Sequence, residues 1–166
     1  MLKGGDSVFY PFHGTGTIES KEYIREKEYL KIFFPYKNLH VFIPSQNENQ
    51  NGLRPIISVE QLELVKQDFY ENGVPLPSSV SERSKVLDIK MKSGTTLEIC
   101  QILRDLLNFH TSEGRLSQQD KKIYKYAEEF LIGEIQAAKN ISYDQALSDV
   151  KALVENRFKI DAPTFR

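Results

Sequence analysis

The sequence predicts an α+β fold, in which a small antiparallel Tudor- or SH3-like β-barrel is followed by a bundle of about five α-helices. Up to residue 57, short runs rich in Phe, Tyr, Ile and Val alternate with turn signals. Beyond that point apolar residues recur at helical spacing, and each run opens on a capping signal. We therefore divide the chain into a barrel domain (1–57), a helical domain (58–160) and a frayed tail (161–166).

The barrel domain is expected to contain four strands. Glycine, proline and polar turns separate them, and Gln46–Gly52 forms a polar loop. Strands this short, joined in sequence order, favour a meander that curls into a barrel, because an open sheet of this size would leave long exposed edges. The expected strands are Ser7–Phe12, Thr15–Tyr23, Lys27–Tyr36 and Leu39–Pro44.

Each helix of the second domain is expected to begin after a Ser or Thr that stands three residues before a Glu, Gln or Asp, the pattern of a capping box. Ser117 with Asp120 is the weaker example, because Asp replaces the usual Glu or Gln. In the helix that follows Ser79, Val86 and Ile89 are expected to face the core. The other pairs are Ser58/Gln61, Ser79/Glu82, Thr95/Glu98 and Ser142/Gln145.

Composition excludes several classes of protein. The 166 residues carry 22 basic and 23 acidic side chains, a net charge of −1, which argues against a protein that coats DNA by bulk electrostatics. No apolar run approaches the roughly 20 residues of a membrane-spanning helix, and the start lacks a signal-peptide core, so the cytoplasm is the expected compartment. The one cysteine, Cys100, falls on the apolar spacing of a helix and is expected to be buried.

Signals for catalysis are missing from the sequence. The three histidines, His13, His40 and His110, have no metal-ligand spacing, so no metal is expected. No phosphate loop or nucleophile elbow is present either, and no cofactor is expected. A binding function, not an enzyme, is therefore the leading class. Convergence of Asp105, His110 and Glu134 in one pocket would reopen the enzymatic interpretation.

The opening segment carries a family resemblance. Residues 5–18, GDSVFYPFHGTGTI, closely resemble the start of the CarD/CdnL family of bacterial RNA polymerase-binding transcription regulators and of the polymerase-interacting module in transcription-repair coupling factors. Later strands and the helical half continue the resemblance over about residues 3–157, and the helical half favours a stand-alone CarD/CdnL protein. The later matching segments are Tyr29–Ile32, Val41–Pro44, Gly52–Pro55, Ile102–Leu106 and Ala127–Glu134.

The resemblance implies that the barrel docks on the lobe of the polymerase β subunit by lending a strand edge to a β-subunit sheet. That edge would lie near residues 37–43, with Glu22 and Arg25 of the neighbouring hairpin at its rim. Alternation along the strand is equally consistent with core-facing side chains. Phe42 stands where relatives place a basic residue, so an apolar contact is expected instead. The implied polymerase-binding residues on the strand are Leu39, Val41, Phe42, Ile43 and Pro44.

The resemblance also implies that the helical domain contacts promoter DNA at the upstream edge of the transcription bubble and stabilises the open complex. Val80 occupies the place of the family's minor-groove tryptophan wedge, and the chain has no tryptophan. Arg83, Lys85 and Lys90 remain as candidates for phosphates, which position a protein without reading sequence.

Two alternatives stay open at this stage. The protein is a protein–protein adaptor bound to polymerase with little DNA contact if the loss of the wedge abolishes DNA binding; charge reversal at the three basic candidates distinguishes this. The assembly is a monomer or a weak dimer, because an exposed strand edge can pair with its own copy.

Overall fold

In a computed structural model, residues 1–47 and 52–165 are described. Residues 48–51, within the polar loop expected at Gln46–Gly52, lie outside them. The α+β fold class is confirmed: a five-stranded antiparallel sheet precedes five helices. The strands are β1 (Ser7–Tyr10), β2 (Gly14–Ile24), β3 (Lys27–Phe34), β4 (Leu39–Pro44) and β5 (Arg54–Pro55), and the helices are α1 (Val59–Phe69), α2 (Val80–Ser93), α3 (Thr96–Glu113), α4 (Gln118–Lys139) and α5 (Tyr143–Phe158).

The sheet has the linear order β4-β3-β2-β1-β5. Val8 of β1 and Ile43 of β4 share one buried cluster with Ile18 and Ile32, although two strands separate β1 from β4. The sheet is therefore strongly curled, as a Tudor-like module requires. β5 has only two residues, one of them proline. It is too short to show the alternation of apolar and polar residues that predicts a strand from sequence.

The five helices begin after the residues expected to cap them. Ser58, Ser79, Thr95, Ser117 and Ser142 each accept a hydrogen bond from the backbone N–H three residues later. The Ser117 cap, expected to be weak, is a complete capping box, because the Asp120 carboxylate accepts from the Ser117 N–H at 2.8 Å. A short carboxylate side chain can therefore close the box when it is buried beside its cap.

The rotation of α2 about its axis differs from the sequence prediction. Val86 and Ile89 were expected in the core, but both face solvent, and Ile89 is 69% exposed. The buried positions are Arg83, Leu87 and Met91, spaced by four residues along one line of the helix. The prediction was wrong because hydrophobicity alone assigned the inward face, whereas a paired arginine occupies part of it.

The barrel and the helical domain are in direct contact. Phe9 of β1 belongs to the helical core and packs edge-on against Phe130 of α4, with ring centroids 5.9 Å apart. Gly14, at the start of β2, has a φ of 85°, and a Cβ there would come within 2.8 Å of the Phe130 ring. The close approach of β2 to α4 therefore depends on glycine at this position.

The frayed tail expected at 161–166 stays a prediction, and residues 161–165 of it are described. Residues 161–165 have no regular secondary structure, yet Phe165 packs edge-on against Tyr124, with ring centroids 4.9 Å apart. Phe165 is partly buried against the helical core. This aromatic contact connects the segment after α5 to α4.

Candidate functional site

β4 presents an open strand edge. Among the described residues it pairs only with β3, in a register that runs from Phe34 opposite Leu39 to Tyr29 opposite Pro44. No other strand of the described chain covers its far side. The outward N–H and C=O groups of such an edge are able to pair with an incoming strand.

Side chains of β4 alternate as the strand period requires. Ile43 is buried in the barrel core, and Leu39 and Val41 pack against that core from partly buried positions. Phe42 points the other way and is 42% exposed. The first three residues therefore hold the edge in place, while Phe42 is available to a partner.

The outer face of the sheet around Phe42 is aromatic and polar. Lys31 lies opposite Phe42 on β3. The His40 ring lies 4.9 Å from the Phe33 ring, and His40 Nε2 is 3.1 Å from a carboxylate oxygen of Glu19. This face combines apolar area with hydrogen-bonding groups, the mixture found at protein interfaces.

Glu22 and Arg25 lie on the β2–β3 hairpin, as the sequence predicted. Glu22 is in register with Tyr29, which is itself opposite Pro44 of β4. With strands roughly 4.8 Å apart, Glu22 lies about 10 Å from the Pro44 backbone. Arg25 is exposed in the hairpin turn with a φ of 49°. Both side chains are therefore placed beside the edge and not on it.

Val80 is the first residue of α2 and is exposed. Ser79 precedes it as the N-cap, and its hydroxyl accepts from the Glu82 N–H at 3.4 Å. The position expected to carry a wedge is thus accessible at the start of a helix, but its side chain is small.

Arg83, expected to hold DNA phosphates, is instead a buried structural residue that is 2% exposed. Its Nε and Nη2 donate to the two carboxylate oxygens of Asp120 at 3.0 and 2.7 Å. Its Nη1 donates to the carbonyls of Pro77 and Ser78 at 3.1 and 2.9 Å. Because these bonds engage the guanidinium, Arg83 is removed from the DNA-facing set.

Lys85 and Lys90 differ in how available their ammonium groups are to DNA phosphates. Lys85 is exposed on α2. The Lys90 ammonium donates to Gln101 at 2.8 Å and lies 3.3 Å from the Asp105 carboxylate, so part of its charge is already neutralised. Lys92, which the sequence prediction did not select, is exposed two turns after Lys85.

A basic and apolar stripe follows the solvent face of α2. Lys85, Ile89 and Lys92 lie at positions i, i+4 and i+7, which share one side of a helix. Ile89 therefore lies between two lysines along this face. We call these three residues the α2 stripe.

Comparison with known proteins identifies the family. Residues 2–57 match the model of the CarD-like/TRCF RID domain, and residues 65–151 match the model of the CarD C-terminal domain. A Bacillus subtilis (strain 168) protein named "Putative transcription factor YdeB" is 31% identical over 152 residues, which cover 89% of this chain and 99% of that protein. The chain belongs to the CarD family.

Membership of the CarD family assigns this chain to the regulators of transcription. The CarD family is not a family of enzymes. Asp105, His110 and Glu134 do not converge. Asp105 accepts from Arg104 at 2.9 Å, the His110 ring lies 2.6 Å from the Gly114 carbonyl, and Glu134 pairs with Arg54. None of the described helices is long and apolar enough to cross a membrane.

Sequence reasoning missed three residues of this CarD-family protein. Ile89 was expected in the core, and the rotation of α2, which depends on the Arg83 pair, instead places Ile89 and Lys92 on the solvent face. Arg54 was noted only as part of the matching segment Gly52–Pro55. Its partner Glu134 lies 80 positions away, and no local pattern connects the two.

Proposed function

We propose that this CarD-family protein docks on the β subunit of RNA polymerase through the β4 edge and places α2 against promoter DNA, so that it stabilises the open complex. The observation that carries the proposal is the edge of β4, which no described strand covers, beside the exposed Phe42. This role places the protein in the cytoplasm, with polymerase on the nucleoid.

Edge pairing supplies affinity through backbone hydrogen bonds and specificity through alternate side chains. The side chains of Leu39, Val41 and Ile43 pack toward the barrel core. They therefore support docking by holding β4 in the sheet with its outer edge accessible to a partner strand. Phe42 supplies an apolar contact in place of the basic residue of relatives. Pro44 ends the edge, because it has no N–H to offer a partner strand.

Glu22 and Arg25 supply charges at the rim of the same contact. Arg25 is exposed at the hairpin turn, and Glu22 lies two strands from β4. Rim charges chiefly affect association rate and choice of partner, so we expect them to matter less than the edge for the dissociation constant.

DNA contact is proposed for the α2 stripe and for the exposed Val80 at the start of the same helix. Lys85 and Lys92 are available to phosphates, with Lys90 as a weaker third contact because of Asp105. Contacts of this kind are independent of sequence. A valine offsets less of the cost of unstacking a base step than an indole does, so DNA engagement is weaker than in relatives with the tryptophan.

Stabilisation of the open complex requires no chemistry. A protein that binds the open state better than the closed state shifts their equilibrium by the ratio of the two affinities. Anchoring on the β subunit raises the local concentration of α2 at the DNA, so even a weak DNA contact becomes effective.

The test of docking is binding to core RNA polymerase and to an isolated β-subunit lobe. Both are expected to bind with a Kd of about micromolar or tighter. Phe42→Glu is expected to weaken both interactions at least about tenfold, because a charge replaces the apolar contact. Leu64→Glu is the matched control, since Leu64 is a 64% exposed apolar residue on α1. Equal binding by both variants would overturn the docking mode.

The rival function is an adaptor that binds polymerase without touching DNA. The burial of Arg83 and the bonds of Lys90 to Gln101 and Asp105 favour it, because they reduce the free charge on α2. Lys85→Glu combined with Lys92→Glu distinguishes the two functions. A shorter open-complex lifetime with unchanged lobe affinity supports DNA contact, and an unchanged lifetime supports the adaptor. Lys151→Glu, on the exposed side of α5, is the control.

The β4 edge is also able to pair with a second copy of the chain, which would give a weak dimer in equilibrium with the monomer. Because the same edge is used for polymerase, added lobe is expected to dissociate such a dimer. Sedimentation velocity over a range of concentrations, with and without lobe, measures this.

A further inference from the structure

Arg54 of β5 joins the barrel to the helical domain. Its Nη1 and Nη2 donate to the two carboxylate oxygens of Glu134 in α4 at 2.6 and 2.9 Å. Its Nε donates to the Gly94 carbonyl, just before α3, at 2.8 Å. One side chain therefore links β5 to two helices through hydrogen bonds whose directions are fixed by the planar guanidinium.

Glu134 is buried and fully engaged. Its Oε1 also accepts from the Ile57 N–H at 3.0 Å, and its Oε2 accepts from the Thr96 hydroxyl at 2.9 Å. The Arg54 guanidinium lies over the Phe9 ring, with 4.4 Å from its central carbon to the ring centroid. A planar donor that uses several directions at once fixes orientation more strictly than apolar packing does.

The same helix, α4, holds both candidate surfaces. Near its start, Asp120 binds Arg83 and so sets the rotation of α2. In its middle, Phe130 packs edge-on against Tyr36, with centroids 6.0 Å apart, and Tyr36 lies in the turn that leads into β4. Glu134 follows one turn later. Glu134 lies fourteen positions after Asp120, which corresponds to about 21 Å along the helix.

We propose that the Arg54–Glu134 contact fixes the orientation of the β4 edge relative to the α2 stripe, so that Arg54 and Glu134 act as positioning residues for polymerase-anchored DNA contact. This inference rests on the proposed function. A rigid connection spares the protein the entropy of ordering two domains when DNA is bound, whereas a loose connection does not. As a consequence, docking of the β4 edge on polymerase also sets the direction in which the α2 stripe faces the DNA.

The competing interpretation is that Arg54 and Glu134 merely stabilise the fold. Arg104 provides a control, because it is a buried arginine that, like Arg54, is paired with a carboxylate, and it is bonded to Asp105 at 2.9 Å and to the Asp68 carbonyl at 3.1 Å. Those bonds lie within the helical domain and do not reach the barrel. Loss of either arginine costs stability, but only loss of Arg54 is expected to free the domains from each other.

The experiment measures inter-domain distance by pulsed electron paramagnetic resonance. Spin labels are placed on the full-length chain at Thr17→Cys in β2 and Lys151→Cys in α5, two exposed positions. The native Cys100 is buried and does not take a label. The distance distribution is compared between the parent, Arg54→Met and Arg104→Met. Arg54→Lys serves as a milder variant, because it keeps the charge but cannot form the fork of bonds.

A narrow distribution in the parent and in Arg104→Met, with a broad or shifted one in Arg54→Met or Arg54→Lys, is the expected result. In the same proteins lobe affinity is expected to stay within about twofold, while open-complex lifetime falls about fivefold or more in the Arg54 variants only. Unchanged distances in both Arg54 variants would overturn the proposal that the Arg54–Glu134 contact is the joint between the two domains. Broad distances with a normal open-complex lifetime would overturn its positioning role. If the parent itself neither binds lobe nor extends the lifetime, the proposed function fails, and the distances still decide whether the joint exists.

Discussion

Arg83 and Asp120 form a bidentate ion pair in which the side chains are 2% and 1% exposed. The guanidinium carbon also lies 4.2 Å from the centroid of the Phe109 ring. Asp120 caps α4 with Ser117 at the same time, so one carboxylate serves both the start of α4 and the placement of α2. This pair explains why Val86 and Ile89 are left facing solvent.

Breaking this pair is expected to destabilise the fold. Arg83→Met leaves the Asp120 carboxylate buried without its cation, so the free energy of unfolding should fall by about 3–5 kcal/mol. Lys85→Met, on the exposed side of the same helix, should change it by less than about 0.5 kcal/mol. Urea denaturation followed by circular dichroism measures both. Equal effects of the two substitutions would contradict the structural role assigned to Arg83.

The Asp120 pair also predicts a dependence on pH. Burial opposes ionisation of Asp120, but hydrogen bonds from Arg83 and from Ser117 outweigh it and hold the pKa of this carboxyl below its usual value. The carboxylate therefore stabilises the fold above the unfolded-state pKa of about 3.9, and this stabilisation is lost as pH falls through the lower folded-state pKa.

Asp120→Asn removes this contribution at every pH. The difference in unfolding free energy between the parent and Asp120→Asn should therefore be largest at neutral pH and shrink below about pH 4. Urea denaturation from pH 7 to pH 3 provides the comparison. A difference that stays constant over this range would show that ionisation of Asp120 contributes nothing.

Cys100 is expected to be inert in the folded protein. Burial, together with the negative charge of Asp68, raises the pKa of the thiol to about 12, so almost no thiolate exists at pH 8. An aromatic disulfide reagent should react with the native protein far more slowly than with the unfolded chain. A Thr17→Cys variant, with its added thiol on an exposed strand position, is the positive control. Rapid reaction of the native thiol would contradict its burial.

Alanine substitutions at Gly14 and Gly5 allow the cost of a steric clash to be separated from the cost of backbone strain. Both have positive φ, 85° and 92°. A Cβ on Gly14 would come within 2.8 Å of the Phe130 ring, whereas a Cβ on Gly5 would meet no described atom within 4 Å. Gly14→Ala is therefore expected to cost about 1–3 kcal/mol more than Gly5→Ala, because the domain contact has to shift as well. Thermal unfolding of the two variants tests this, and equal costs would show that β2 and α4 are not in tight contact.

Local rules predicted much of this fold because the interactions that they describe are short in sequence. A capping bond joins residues three apart, so Ser58 and Ser142 could be assigned from the sequence. The alternation along β4 follows from the period of a strand. It was consistent with the core-facing Ile43 that the structure shows, but it did not decide between that position and a contact with polymerase. Glu22 and Arg25 also fell on the predicted hairpin.

Tertiary contacts decided the remaining features. Which side of α2 faces solvent depends on Asp120, 37 positions after Arg83. The joint between the domains depends on Arg54 and Glu134, 80 positions apart. A charged residue is assigned to the surface by every composition rule, because burial of an unpaired charge is costly.

The amino-acid order was therefore sufficient for the fold class and the caps, since each depends on neighbours within one turn or one strand. Residue patterns alone did not show the open edge of β4, which only the family resemblance implied and which follows from the order of the strands in the sheet. They did not show the α2 stripe either. Both surfaces depend on contacts between distant residues. In the order of the described strands none lies outside β4, and the Arg83–Asp120 pair turns Lys85, Ile89 and Lys92 outward. Pairing with a distant partner removes the cost of burying a charge, and only the folded chain brings that partner into contact.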